Sequence, residues 1–326
     1  MSDRGKTATG SQQVARPPSK TATSEAPLAL SPQALLQASY AFCRRTARRS
    51  GSSFYPCFLV LGAPKRRAME ALYAFARHTD DLADSAEPLD VRRKALRQWR
   101  IALDAALAGQ PTPAEAGGSD TRLLPALIDT LRAFGIPAEH LHAVIEGGEM
   151  DLEIEHYETF DQLAAYCHRV ASSVGLACLH IWGFHGHEAF APARSCGLAF
   201  QLTNILRDLK EDAARGRVYL PQEDLRRFGY SIHDLRSGRA DQRFGRLMEF
   251  EIDRVRTLYR EAAGLPAYLE PDGQRICRLM IEVYRRLLER IATRPEEVLL
   301  RRVRLGPGEK LRIAARWLLT SLSTRE

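Results

Sequence analysis

The sequence predicts an all-α protein in which residues 31–326 form one large domain of packed helices. Apolar residues recur at intervals of three and four over most of the chain, which is the spacing of one face of an α-helix. The alternation of apolar and polar residues that marks a half-buried strand is nearly absent. Of the 326 residues, 45% are apolar and 27% are charged, which is typical of a folded globular domain.

Residues 1–30 are predicted to be a disordered tail. They are rich in Ser, Thr, Ala, Pro, Gln and Gly, and they contain almost no large apolar side chain. Such a segment cannot bury enough apolar surface to offset the entropy lost on ordering. The helical pattern begins directly after it, where Ser31 can cap a helix and Pro32 suits its first turn.

The remaining predicted helices follow in order along the chain. The second begins at Pro64, a residue suited to a first turn, and Pro88 ends it. Residues 109–119 are polar and rich in Pro and Gly, so they are predicted to be a loop. The further helices are predicted at residues 90–108, 121–134, 138–156, 159–184, 188–214, 240–263, 272–293 and 308–322.

The first chemical signal is the sequence Asp80-Asp81-Leu82-Ala83-Asp84. On a helix, Asp80 and Asp84 lie on one face, one turn apart. Like charges at this spacing repel and Asp is a poor helix former, so the pattern does not favour helix stability. A solvated helix face is one interpretation. The apolar and aromatic residues 72–76 just before it indicate a helix buried on several sides, and a functional role for the acids is the other interpretation.

The second signal lies within residues 201–212, where Gln201, Asn204, Asp208 and Asp212 form a polar stripe along one helix face. Two acidic pairs in one helical chain suit Mg²⁺, a hard cation that takes oxygen ligands and is typically shared with substrate phosphates. Arginine suits bidentate contact with phosphate. The arginines next to the two motifs are Arg77, Arg215 and Arg217.

Together, four segments resemble the squalene/phytoene synthase family. Residues 73–84 are similar to its YxxxRxxDDxxD motif, and residues 201–221 to its NxxRDxxEDxxxGRxYLP element. Residues 166–175 resemble its YCxxVAxxVG segment, and residues 51–55 its SxSF element. The resemblance extends over residues 35–310, and a chance match of all four segments in order is very improbable.

The resemblance implies an isoprenoid synthase fold, a helical bundle with a central cavity and the two Asp motifs facing each other near its mouth. It implies that two or three Mg²⁺ ions bind Asp80, Asp84, Asn204, Asp208 and Asp212. It assigns catalytic roles to Tyr73, Arg77, Tyr166 and Tyr284. It assigns substrate binding to Ser53, Phe54, Arg77, Gln201, Asn204, Arg217 and Arg302. The residues expected either on the apolar cavity wall or in ordinary core are Phe54, Leu176, Leu198 and Leu202.

The implied reaction is the head-to-head (1′-1) condensation of two prenyl diphosphates. The expected product is presqualene diphosphate from two farnesyl diphosphates, as in the hopanoid branch of the family, without NADPH. Phytoene or dehydrosqualene synthesis, in the carotenoid branch, is the alternative. A non-catalytic helical assembly factor is an alternative of another class, but the intact Asp positions favour an enzyme.

The net charge of +7 is concentrated at the C-terminal end, since residues 275–326 carry 13 basic and 6 acidic residues. This segment lacks interleaved aromatic residues and any nucleic-acid-binding motif, so no nucleic acid partner is expected. Residues 310–322 form a basic amphipathic stretch, which predicts either peripheral contact with a membrane or a terminal helix packed on the domain. The six cysteines show no CxxC or zinc spacing, which favours free thiols in a reducing compartment. Because the sequence also shows no apolar run long enough to span a membrane and no apolar secretory signal region, a cytoplasmic enzyme is expected. The sequence does not indicate an oligomeric state.

Overall fold

The computed structural model of the protein describes residues 31–113, 120–306, 308, 309, 312 and 313. Within this part of the chain the secondary structure is helical apart from isolated bridges, which confirms the all-α prediction. The helices are α1 (Pro32–Arg49), α2 (Tyr55–Phe58), α3 (Ala63–Ala83), α4 (Leu89–Leu107), α5 (Leu124–Phe134), α6 (Glu139–Glu153), α7 (Phe160–Cys167), α8 (Ser173–Trp182), α9 (Phe190–Ala214), α10 (Gln222–Arg227), α11 (Ile232–Arg236), α12 (Gln242–Glu261), α13 (Pro271–Thr293) and α14 (Glu297–Leu300).

The long predicted helices are present, and the differences lie at their ends and joints. The predicted helix 159–184 consists of α7 and α8 joined by a π-helical turn, His168–Ser172. The predicted helix 240–263 ends at Glu261 and continues as a 3₁₀ helix, Ala262–Tyr268. The short helices α2, α10, α11 and α14 were missed, because one or two turns contain too few residues to show a helical period.

Two predicted segments lie outside the described residues. One is the disordered tail, residues 1–30, and the other is most of the predicted helix 308–322. Ile313, one of the described residues of that helix, is buried in the hydrophobic core. Among the helices that the structure describes, none is long and apolar enough to cross a membrane.

Helices α3 and α9 lie at the centre of the bundle and carry the two Asp motifs. Helix α3 packs against α1, α4, α5, α6 and α8, and α9 packs against α8, α12 and α13. Phe75 of α3 is fully buried against Trp99 of α4, and the Trp99 indole N–H donates to Thr79 Oγ1 at 3.0 Å. The aspartates at the end of α3 are therefore attached to a rigid, well-packed helix.

The π-helical turn crosses α9 at Gly197, where the two backbones are in contact. A Cβ atom added at Gly197 would lie 2.6 Å from Ser172 Cα and 2.9 Å from Ser172 N. These are backbone atoms, so a side chain at this position displaces a helix. The small residue therefore allows the close approach of the two helices that line the cavity described below.

We expect Gly197→Ala to lower the free energy of unfolding by about 1–3 kcal/mol, the usual cost of overpacking a tight core. Gly245→Ala is the matched control, since an added Cβ in this helical position of α12 meets nothing within 4 Å. It should raise stability by about 0.5–1 kcal/mol, because alanine loses less backbone entropy than glycine in a helix. Urea unfolding of both variants measures the difference, and equal effects would contradict the close contact.

A buried ionic cluster connects α10 to α12. Arg254 Nη1 donates to Asp224 Oδ2 at 2.8 Å and to Glu251 Oε2 at 2.6 Å. The guanidinium contacts the rings of Phe160 and Phe250, with its central carbon 4.1 and 4.7 Å from the two ring centroids. Burial, together with the neighbouring Asp224 carboxylate, raises the pKa of Glu251 to about 7. One arginine therefore compensates two buried acids.

Candidate active site

A cavity of about 820 Å³ lies between α3, α6, α8, α9 and α13. Its lining includes every site residue that the resemblance assigned. These residues are Ser53, Phe54, Tyr73, Arg77, Asp80, Asp84, Tyr166, Gln201, Asn204, Asp208, Asp212, Arg217, Tyr284 and Arg302. The structure thus brings together residues that lie up to about 250 positions apart in sequence. Leu176, Leu198 and Leu202 are buried and are not among the described residues that line the cavity, so they belong to ordinary core.

The acidic residues of the two motifs form one cluster at the mouth. The Asp80 carboxylate is enclosed by protein but opens onto the cavity. Burial and the nearby charges of Asp151 and Asp84 raise its pKa to about 7. Burial and the charge of Asp208 likewise raise the pKa of Asp212 to about 7. A bound cation would reverse this effect, because positive charge favours the ionised carboxylates.

Two arginines bind Asp84, the last acidic residue of the first motif. Arg217, which is 9% exposed, donates from Nη1 to Asp84 Oδ1 at 2.6 Å. Arg215 Nη1 donates to Asp84 Oδ2 at 2.9 Å. Both arginines follow α9, whereas Asp84 follows α3, so these contacts connect the two motifs across the mouth. Arg77 lies elsewhere on α3 and forms an ion pair with Asp81 at 2.5 Å.

The second motif has its own pair of arginines. Arg207 donates from Nε and Nη2 to the two Asp208 oxygens at 2.7 and 2.5 Å. Arg302 reaches the same carboxylate from the C-terminal side of the chain, with Nε 2.8 Å from Oδ1 and Nη2 3.0 Å from Oδ2. The predicted residue Arg302 is therefore at the site. Arg207 lies inside the second Asp motif, but helical spacing did not distinguish it as a site residue.

Aromatic residues form the wall beneath the mouth. The Tyr284 ring stacks on Phe54 with centroids 4.6 Å apart and an interplanar angle of 11°, and Phe200 lies 4.6 Å from the same ring. Tyr284 donates its hydroxyl proton to Asn204 Oδ1 at 3.3 Å, and Asn204 Nδ2 donates to Gln201 Oε1 at 3.4 Å. Tyr284, to which the resemblance assigns a catalytic role, therefore lies in the lining of the cavity.

Asp151 is a residue at this site that the sequence analysis missed. It accepts hydrogen bonds from Tyr166 at 2.9 Å and from Tyr219 at 2.7 Å, and these two rings stack with centroids 5.3 Å apart. Burial raises the pKa of Asp151, whereas the nearby Arg217 lowers it. The sequence did contain a signal for Asp151. It lies two helical turns after Val144, so both residues are on the same face of the helix, and Val144 belongs to the core. A charged residue on a buried face is a candidate functional residue.

The donor set fits Mg²⁺ shared with a ligand better than it fits a complete protein metal site. Among the described residues, no group of three His, Cys, Asp or Glu side chains is close enough to hold a metal ion. Mg²⁺ is usually bound through one or two carboxylates together with water and substrate phosphates. The carboxylates at the mouth supply oxygen ligands of that kind, and the arginines beside them suit phosphate.

Comparison with known proteins agrees with this geometry. Residues 47–309 match the family model of squalene/phytoene synthase. The chain is 35% identical to 15-cis-phytoene synthase of Synechocystis sp. over 292 residues, which cover 86% of this chain and 84% of the relative. It is 31% identical to phytoene synthase 3 of Zea mays, with 88% and 67% of the two chains covered.

Two solved structures are also similar. Squalene synthase HpnC from Alicyclobacillus acidocaldarius is 29% identical, with a TM-score of 0.71 over 80% of this chain and 95% of that one. A dehydrosqualene synthase in complex with ligand is 27% identical, with a TM-score of 0.78 over 90% and 100% of the two chains. The fold and site define an all-α enzyme of the prenyltransferase type. The chain belongs to the squalene/phytoene synthase family, whose enzymes join prenyl diphosphates head to head.

Proposed function

We propose that the protein condenses two farnesyl diphosphates into presqualene diphosphate and diphosphate, supplying squalene and hopanoid synthesis. The observation that carries the proposal is the arrangement of the cavity. Two acidic motifs and their arginines surround its mouth, and aromatic and apolar side chains line its interior. Such a site suits a charged diphosphate at one end and a prenyl chain at the other.

Phytoene synthesis from geranylgeranyl diphosphate is the second candidate. It is favoured by the names of the two relatives described above, which are phytoene synthases at 35% and 31% identity. The names of the two structural relatives favour squalene or dehydrosqualene instead. A non-catalytic assembly factor is disfavoured, because the acids and arginines at the mouth are all in place.

The first step is departure of diphosphate from one substrate. The C1–O bond breaks, the diphosphate takes the electron pair, and an allylic cation remains. We propose that Arg217 and Arg215 bind the leaving diphosphate, since their guanidinium groups already lie at the mouth. Two or three Mg²⁺ ions at the mouth would further stabilise the leaving diphosphate electrostatically. The residues that would hold them are Asp80, Asp84, Asn204, Asp208 and Asp212. No NADPH is expected for this reaction.

The second step joins the two prenyl chains. The C2–C3 double bond of the second substrate attacks the allylic cation, and loss of a proton closes the cyclopropane ring. The faces of Phe54, Phe200 and Tyr284 can stabilise the cation through their π electrons. Tyr166 can accept that proton on its oxygen while its own hydroxyl proton passes to the Asp151 carboxylate, with which it is hydrogen-bonded at 2.9 Å. The apolar wall excludes water, which would otherwise trap the cation.

We expect Asp151→Asn to lower turnover about 10²-fold, the lower end of the range for proton-transfer groups, and to change KM only a few-fold. The amide no longer holds the two tyrosine hydroxyls as a carboxylate does, so the Tyr166 oxygen is no longer oriented. Glu153→Gln on the same helix is the matched control, since that side chain is exposed. Steady-state diphosphate release measures both variants, and wild-type turnover in Asp151→Asn would contradict the proposed orientation.

Mass analysis of the products tests the proposed reaction. The enzyme is supplied with Mg²⁺ and with farnesyl or geranylgeranyl diphosphate, each with and without NADPH. Presqualene diphosphate from the C15 substrate without NADPH is the expected result. Phytoene from the C20 substrate alone would support the second candidate, and no diphosphate release from either substrate would overturn the proposal.

A cytoplasmic location with peripheral membrane contact through residues 310–322 is also proposed. The support is the basic side chains of that stretch, which suit an anionic surface, while Ile313 on its apolar side packs into the core. Co-sedimentation with anionic vesicles, with and without deletion of residues 308–326, tests this proposal.

A further inference from the structure

The residues that line the cavity extend along α8 and α9, so we refer to the cavity as a channel between these helices. One stripe of lining residues follows α7 and α8 at intervals of four, namely Tyr166, Val170, Val174, Cys178 and Trp182. At a rise of about 1.5 Å per α-helical residue, and less in the π-helical turn, the sixteen steps from Tyr166 to Trp182 correspond to at most about 24 Å. Helix α9 runs back along the same lining, from Asp212 at the mouth to Ala193, which lies beside Gly175 of α8. Trp182 therefore lies at the end opposite the acidic residues.

Trp182 is held in place from behind. Its carbonyl oxygen accepts a hydrogen bond from Lys65 Nζ at 2.9 Å, and Lys65 forms an ion pair with Glu270 at 3.0 Å. Helix α13 packs directly on it at Gly273, where an added Cβ would lie 2.8 Å from Trp182 Cβ. Since backbone and an ion pair support Trp182 on the outer side, a ligand in the channel cannot easily displace it.

Hydrogen bonding does not explain a tryptophan at this position. The indole Nε1 of Trp182 is buried and has no hydrogen-bond partner among the described residues. A buried donor without a partner costs free energy, and a leucine or phenylalanine would avoid that cost. The large indole side chain is therefore better explained by the space it fills at the end of the channel.

We infer that Trp182 is the floor of the substrate channel and sets the longest prenyl chain that the enzyme accepts. The inference rests on the proposed function, because it requires the diphosphate to be held at the acidic mouth. Prenyl diphosphates differ by five-carbon units at the end remote from the diphosphate. Because the diphosphate is fixed at the mouth, each longer prenyl chain extends further toward the indole ring. The position of this ring therefore limits the chain length.

The test compares variants that deepen the channel, shorten it or leave it unchanged. Trp182→Ala and Trp182→Leu remove the floor wholly or in part, and Cys178→Leu adds volume one turn above it. Leu176→Ala is the matched control, since it removes a buried side chain from the same helix outside the cavity lining. Calorimetry measures the affinities of unreactive thiolodiphosphate analogues with C15, C20 and C25 chains. Diphosphate release gives the corresponding kcat/KM values for the natural substrates.

Trp182→Ala should raise the ratio of C20 or C25 affinity to C15 affinity at least tenfold, and Trp182→Leu should raise it less. Cys178→Leu should lower the ratio, and Leu176→Ala should leave it within twofold of wild type. If Trp182→Ala does not fold, as judged by circular dichroism, Trp182→Leu and Cys178→Leu decide the matter. Unchanged ratios in these variants would overturn the inference that Trp182 is the floor of the channel. Absence of diphosphate release in the wild type would overturn the proposed function. The analogue affinities would still test whether Trp182 limits the length of the bound chain.

Discussion

Asp80→Asn is expected to lower diphosphate release about 10³-fold, the upper end of the range for removing one group that stabilises transition-state charge. Asp80 lies at the centre of the acidic cluster, next to Asp84 and Asp151. Its loss removes an anionic oxygen ligand from the mouth, so the variant should also need a higher Mg²⁺ concentration for half-maximal activity. The fold should persist, because the neutral amide relieves repulsion among the acids.

Asp90→Asn is the control for this experiment. It makes the same chemical change at an exposed position in the first turn of α4, away from the cavity lining. Its activity and its Mg²⁺ dependence should match those of the wild type. Full activity of Asp80→Asn at unchanged Mg²⁺ dependence would show that the metal assignment of the first motif is wrong.

Arg254→Ala should destabilise the fold by about 3–5 kcal/mol, since removal of one partner leaves buried charges without compensation. Asp224 and Glu251 are 4% and 2% exposed, and both depend on this guanidinium. Arg256→Ala, two residues away on the same helix, removes an exposed arginine that pairs with Glu289 and should cost less than about 1 kcal/mol. Urea unfolding gives both values, and similar losses would contradict the proposed role of the buried cluster.

The pH dependence of stability provides a separate test of the same cluster. The pKa of Glu251 rises from its ordinary value of 4.5 to about 7 on folding, so the folded state binds this proton more tightly. The resulting stabilisation is complete below about pH 4.5 and is lost as the pH rises through about 7. Glu251→Gln has no such proton. Its stability relative to wild type should therefore increase between pH 5 and pH 8 in denaturant titrations, and a constant difference would contradict the raised pKa.

The acidic motifs could be predicted from the sequence because each is local. Asp80 and Asp84 lie on one helix, as do Asp208 and Asp212, and helical spacing alone places each pair on one face. Such pairs repel within the helix, so their presence indicates a function that stability does not explain. Helical spacing therefore indicated the two acidic motifs, and only the family resemblance implied that they face each other at the mouth of a cavity.

The residues that were missed depend on contacts between distant segments. Asp151 acquires its role only when α6 brings it to Tyr166 and Tyr219, and Trp182 becomes an end wall only when α13 packs behind it. For Leu176 the sequence allowed either the cavity wall or the core. In the structure it is buried and does not line the cavity, so it belongs to the core.

The sequence by itself determined the helical class and the acidic and arginine-rich motifs, because helix periodicity and charge spacing act over a few residues. Only the tertiary structure decided which carboxylate each arginine holds, where the aromatic wall lies and where the channel ends. These features depend on how helices far apart in the chain pack together, and close packing allows few alternatives once Gly197 and Gly273 bring the backbones into contact.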